Sequence, residues 1–506
     1  MFKCKQLLRR ICVVSYVFLL CGGLVNASNL VSKTNTLIGT QGNGWASGYL
    51  YPGATYPFGM VQFTPTYFTK QLGFVINQLS GAGCDHMGNF PTLPIAGALR
   101  VSPDSILNMQ TPVGKEIGTA GYYAATVDHS IRAELTVTER TGMARYTFSS
   151  KEKQGTVIIG GGVAATPIQV AAIKITGPHS CEGYAEGGAF CGIPTPYKVY
   201  FVAEFDADAE SFGTWKEERL HANHTFAEGS HSGVYFTFPL KEGNQAVQYK
   251  IGVSYVSVEN ARENLRVENP AWDFSAVRQA TQDKWNEYLG KIEVEGDNED
   301  RQMQFYTHLY RSLIHPNVCS DVNGEYMGAD SQVHKTARKF YTSFSNWDTY
   351  RTQTALIAML APEETSDIVM SHYLFAEQSG GGFPRWVLAN IETGVMQGDP
   401  TPILVANAYA FGARTYDPRT LLRTMRYGAE VPGANSQGVL TRPGLEQYLE
   451  KGYYDASILL EYTSSDFAIG RFALQACNDE PVCNWYTQRA MNWKNLFNKE
   501  TGWLQS

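Results

Sequence analysis

At 506 residues the chain is too long for one ordinary domain, and two or three are expected. A composition of 43% hydrophobic and 18% charged residues describes a globular protein able to bury large cores. The formal charge is −7 and no basic block occurs, which makes nucleic acid a poor candidate partner.

Residues 1–27 read as a secretory signal. Lys3, Lys5, Arg9 and Arg10 form its basic start, residues 11–24 its apolar run, and Val25-Asn26-Ala27 its small-residue cleavage site. The run is short for a membrane span, and Cys21 follows Leu20 where a lipid-anchor signal wants a small residue. With no second long apolar stretch, the expectation is an exported protein, periplasmic or extracellular, without a stable membrane span. Removing the four basic residues of the signal takes the formal charge from −7 to −11. Six cysteines then remain. Their spacing points to local disulfides Cys181–Cys191 and Cys477–Cys483, and no ligand spacing supports a structural zinc site.

From residue 28 to 267 the chain reads as β. Short runs at 122–127, 131–140, 144–149, 156–159, 197–205, 234–238 and 248–258 are rich in Val, Ile, Tyr, Phe and Thr. An antiparallel β-sandwich suits them. The stretches YPGATYPFGMVQFTP (51–65) and LSGAGCDHMGNFPTLP (79–94) carry Gly and Pro instead, and are expected to be ordered loops facing a ligand or simple turns. A helical linker follows over 268–298. Residues 299–506 alternate helix signals with long loops: Met303, Tyr306, Leu309, Tyr310, Leu313 and Ile314 keep helix spacing, and Asp417-Pro418 supplies a cap and first-turn proline. The fold class expected is multidomain β + α: an N-terminal sandwich, a helical linker and a C-terminal helical toroid.

Residues 379–412 organise this second half. Gly380, Gly381 and Gly382 permit backbone closed to other residues, Pro384, Arg385 and Trp386 follow, and a short polar link holds Asn390 and Glu392. A carboxyl kept between a glycine loop and a helix start, among aromatic rings, can have a raised pKa and deliver a proton. The plainer reading is a solvated or capping Glu. A second cluster is FYTSFSNWDTYR (340–351), where Trp347 offers a flat face, Asp348 an acceptor and Arg351 a fork of donors. Such groups hold a pyranose ring; equally, Trp347 is core and Asp348 a helix cap.

SDVNGEYMGAD (320–330), SNWDTYR, FPRWVLANIETGVMQGD (383–399), YPGATYPFGMVQFTP, LSGAGC, RTGMARYTF (140–148) and LEYTSSDFAIGRFA (460–473) resemble family 92 glycoside hydrolases, the calcium-dependent exo-α-mannosidases. The resemblance runs from about residue 37 to the chain end. It implies that the toroid is an (α/α)6 barrel and that the chain removes terminal α-linked mannose, α-1,2 first, from glycans with inversion. It implies Glu392 as general acid, Trp347, Asp348, Arg351, Trp386 and Asn390 as sugar-binding positions, and Ser80, Gly81, Gly83 and Cys84 as a lip from the sandwich. Ca2+ is the implied cofactor and a mannose-containing glycan the implied partner.

Three departures matter. Pro400 stands where the family's best-studied branch has a histidine, and the link from Tyr453-Tyr454 to Glu461 is short. The late Asp motif that carries the family's catalytic base does not occur, so the chain resembles a member lacking its C-terminal part. Asp399 and Asp466 can be nominated as base, though a structural role fits each better. Two expectations follow: the final helices are poorly covered and invite a partner, and the rival to an enzyme is a non-catalytic glycan-binding protein. A glycan phosphorylase would need a basic phosphate site, and near the loops only Arg351 and Arg385 offer charge.

Overall fold

The computed structural model describes residues 29–40, 49–65, 73–104, 113–242 and 245–505. The signal reading over 1–27 lies outside them. Among the described residues the first half forms two facing sheets of eight and nine strands. The pairings are antiparallel, as in Ser232–Pro239 against Gln154–Gly160 and Ala246–Ser254 against Thr141–Thr147. Inward rings of the two sheets interlock: Phe236 of one lies 5.0 Å from Phe205 of the other. That contact places the core between the sheets, where alternation along each strand demands it.

The expected strand at 122–127 is present as Tyr122–Val127, and the others are present with shifted ends. The sandwich contains more than the apolar runs disclosed. The longest strands, Ser180–Phe190 and Ile193–Phe205, pair over most of their length. The stretch 51–65, expected to project as a loop, is instead almost wholly buried and holds the strands Ala54–Thr55 and Gln62–Pro65. Its glycine explains the misreading: a Cβ on Gly53 would sit 2.1 Å from Thr64 Cβ, so Gly53 serves close strand packing.

Neither expected disulfide forms. Cys181 and Cys191 stand at opposite ends of one extended strand, about 33 Å apart at the usual rise per residue. Cys84 pairs with Cys191 instead, with 5.1 Å between their Cα atoms. Cys181, Cys319, Cys477 and Cys483 are buried free thiols.

Helix begins earlier than the β reading allowed, at Val258–Glu268, capped by Ser257. Phe274–Leu289 and Glu299–Ser312 follow. Pro362–Ser379 stops at Gly380, whose φ of +117° only glycine adopts readily. Asp417 caps Pro418–Glu430 as its sequence implied. The 22-residue helix Ala456–Cys477 packs against Thr401–Ala410, Pro418–Glu430 and Glu480–Ala490. Phe467 and Trp485 stand exposed on these last helices, as do Met491 and Trp493 on the 3-10 helix Met491–Leu496 and Phe497 after it, and Trp503 beyond them is 73% exposed. No helix among the described residues is long and apolar enough to cross a membrane.

Candidate active site

The loop 79–84 is pinned from both halves of the molecule. His86 accepts the Leu79 N–H at Nε2 (2.7 Å) and donates from Nδ1 to the Cys84 carbonyl (2.7 Å). His315, after the helix Glu299–Ser312, accepts the Ser80 N–H at Nε2 (2.9 Å) and donates to Asn317 Oδ1 (2.7 Å). Each ring is therefore neutral, and burial pushes both pKa values down to about 4. The Cys84–Cys191 bridge is a third anchor. It sets Phe190 against the helical half, where its ring stacks on Trp386 at 4.2 Å.

A cavity of about 780 Å³ lies between the halves. Ser80, Gly81, Gly83 and Cys84 wall it on one side, and Asp348 and Trp386 on the other. Its size suits a sugar. Partial burial raises the Asp348 pKa, against the pull of the neighbouring Trp386 side chain and of Arg351.

Trp347, Arg351, Asn390 and Glu392 are not in that wall. The Trp347 indole donates to Glu461 Oε1 at 3.0 Å, and the Arg351 guanidinium lies 4.5 Å from the centre of its ring. Asn390 is buried, its amide donating to the Gly328 carbonyl at 3.2 Å. Glu392 ends the hairpin formed by Trp386–Leu388 and Ile391–Glu392. Its carboxylate accepts three backbone N–H groups, from Arg385 (2.6 Å), Gly394 (3.0 Å) and Trp386 (3.2 Å). Burial is the largest influence and raises its pKa above the usual carboxyl range, although those N–H groups favour the charged form. The combination suits a proton donor: burial favours the protonated form, and the backbone N–H groups stabilise the charge once the proton has left. Glu392 borders a separate space of about 10 Å³, barely one water. Trp386 joins the two spaces, with its ring at the large cavity and its N–H on Glu392.

Residues 34–254 match the glycosyl hydrolase family 92 N-terminal domain, and residues 260–506 match the glycosyl hydrolase family 92 catalytic domain. The chain belongs to glycosyl hydrolase family 92. A family GH92 alpha-mannosidase from Bacteroides thetaiotaomicron has a TM-score of 0.85 at 24% identity, covering 94% of this chain and 67% of that one. A family GH92 inverting mannosidase from Bacteroides thetaiotaomicron VPI-5482 has a TM-score of 0.84 at 25% identity, covering 94% and 66%. A protein of Arthroderma benhamiae described as an uncharacterized secreted glycosidase is 25% identical over 93% of this chain, which spans 62% of that relative's length.

Two acidic residues of this family 92 chain are committed elsewhere. Asp466 takes Arg442 at 2.7 Å, Nε and Nη2 of Arg489, and the Tyr448 hydroxyl at 2.6 Å. Asp399 takes Arg442 Nε at 2.8 Å. Among the described residues no three His, Cys, Asp or Glu side chains gather to hold a metal ion. Glu461 offers a single buried oxygen, Oε2, without a hydrogen-bond partner.

Sequence reasoning did not nominate Glu461, His86, His315 or Gln437. Glu461 entered only as the end of a short link and as part of a stretch that carries the resemblance. The two histidines and Gln437 act through partners distant in the chain, which no local spacing reveals.

Proposed function

We propose that the chain acts as an inverting exo-α-mannosidase outside the cytoplasm, removing terminal α-linked mannose from glycans, α-1,2 linkages first, with Glu392 as general acid. Family membership supports the reaction class, and one structural relative was solved with mannoimidazole. The observation that carries the residue assignment is the buried, pKa-raised Glu392 carboxyl held by the backbone of the residue that also walls the cavity. In this reading Trp386 and Asp348 grip the terminal sugar, the pinned lip walls its other side, and Glu392 protonates the departing oxygen. Inversion needs a second carboxylate about 6.5–9.5 Å away to activate water. Asp399 and Asp466 are bound to arginines, so neither is assigned that role. The resemblance brings calcium with it as the expected cofactor.

The commitment of both Asp399 and Asp466 to arginines favours a second reading, a glycan-binding protein that grips mannose without hydrolysing it. An aryl α-mannoside assay separates the two. Turnover that Glu392→Gln abolishes supports the enzyme. Binding of α-methyl mannoside without turnover, unchanged by Glu392→Gln, overturns it.

A further inference from the structure

Gln437 stands where its residue type is out of place. It is the first residue of the two-residue turn joining Asn435–Ser436 to Val439–Leu440. Its φ is +48° and that of Gly438 is +83°. A hairpin turn with both central residues left-handed favours Asn or Gly at the first position, and a longer side chain there is strained.

The side chain accounts for its presence. Its Oε1 accepts the Glu392 backbone N–H at 2.7 Å. Its Nε2 donates to the Asn390 carbonyl at 2.9 Å and to the Ala329 carbonyl at 2.6 Å. Only one orientation of the amide satisfies an N–H and two carbonyls together, so the assignment is fixed by its partners. The backbone N–H bonds Ser379 at the end of Pro362–Ser379. One residue thus ties the Glu392 hairpin to the loop at Ala329 and to a helix terminus. Asn would fall one methylene short of those partners.

We infer that Gln437 is a positioning residue for the Glu392 carboxyl, holding it out of solvent against its three backbone donors. This rests on Glu392 being the proton donor. The charged groups near Glu392 are Arg385, whose guanidinium donates to the Gly398, Met396 and Leu440 carbonyls, and Asp399, bound to Arg442. None of those contacts runs through Gln437, so removing its side chain isolates the clamp.

Gln437→Gly makes the test, because glycine suits the turn and removes only the side chain. With folding checked by circular dichroism, the Glu392 carboxyl is titrated by carbon NMR of carboxyl-labelled glutamate, using Glu392→Gln to assign the signal. The expected result is a Glu392 pKa lowered towards the ordinary glutamate value as water enters. On an aryl α-mannoside, kcat is expected to fall about tenfold with KM little changed, a part of what a general acid contributes. An unchanged titration overturns the inference whatever the activity. If the parent chain shows no turnover, the proposed function fails and the titration alone decides the role of Gln437.

Discussion

The Phe190 and Trp386 rings stack at 4.2 Å with 27° between their planes. Phe190 ends a sandwich strand beside the disulfide, and Trp386 gives its backbone N–H to Glu392. The sandwich therefore helps set where the Glu392 hairpin sits.

Phe190→Ala removes a ring that is 4% exposed. A loss of about 3 kcal/mol in unfolding free energy is expected, from transfer and cavity costs together. Urea denaturation measures it, and affinity for α-methyl mannoside should fall in parallel because Trp386 loses its support. Lost stability with unchanged affinity would separate the ring from the cavity's function.

Reduction of Cys84–Cys191 opens a loop of 107 residues. Loops of that size contribute about 5 kcal/mol by restricting the unfolded chain. Dithiothreitol should lower the melting temperature, Cys84→Ser should reproduce the shift, and the two together should add nothing. The lip 79–84 also loses one of its three anchors, so ligand binding should weaken under the same treatment.

Stability should fall on acidification in the range set by the buried histidines. His86, His315 and His372 are pushed down to about 4 by burial. The unfolded chain takes up those protons near pH 6.5 while the folded chain refuses them. Their stabilisation is complete above pH 6.5 and drains away towards pH 4, by about 3 kcal/mol for each group. Asp466 adds a lower limb. Burial alone would raise its pKa, but Arg442 and Arg489 outweigh it, so its contribution is lost as pH falls below the usual aspartate range. Urea midpoints at pH 7, 5 and 4 check the slope, and His315→Asn should flatten it.

Asp466→Asn leaves Arg442 and Arg489 facing a neutral partner in a buried site. Breaking one side of such a pair costs about 3–5 kcal/mol. A shift of less than 1 kcal/mol in denaturant unfolding would contradict the structural role given to this residue.

The strand Tyr122–Val127 and the cap at Asp417 were legible because alternation and N-cap chemistry are local. The helix Val258–Glu268 was not, because part of the face it buries is polar. Asn264 donates to Asp321 Oδ1 at 2.6 Å and Asn260 to Asp321 Oδ2 at 2.9 Å. Hydrophobic periodicity cannot register a helix that packs through asparagines. The true disulfide was hidden for a similar reason, since it joins residues 107 apart that meet only once the sheet has formed. At the candidate site the residue types of the lip and of Trp386, Asp348 and Glu392 were readable from sequence. The division of Trp386 and Glu392 between two spaces was not, since it depends on which way a hairpin faces.

The Arg442 cluster bears on how the molecule opens. Asp399, at the end of the Glu392 loop, is bolted to Arg442; Arg442 is bolted to Asp466; and Asp466 holds Arg489 of the helix Glu480–Ala490. Peeling that helix away would strand charges in the interior, so the helix and the loop should open as one cooperative unit. Amide hydrogen exchange would then show the Glu392 loop and the helix Glu480–Ala490 losing protection at the same denaturant concentration, although only the helix carries exposed tryptophan surface.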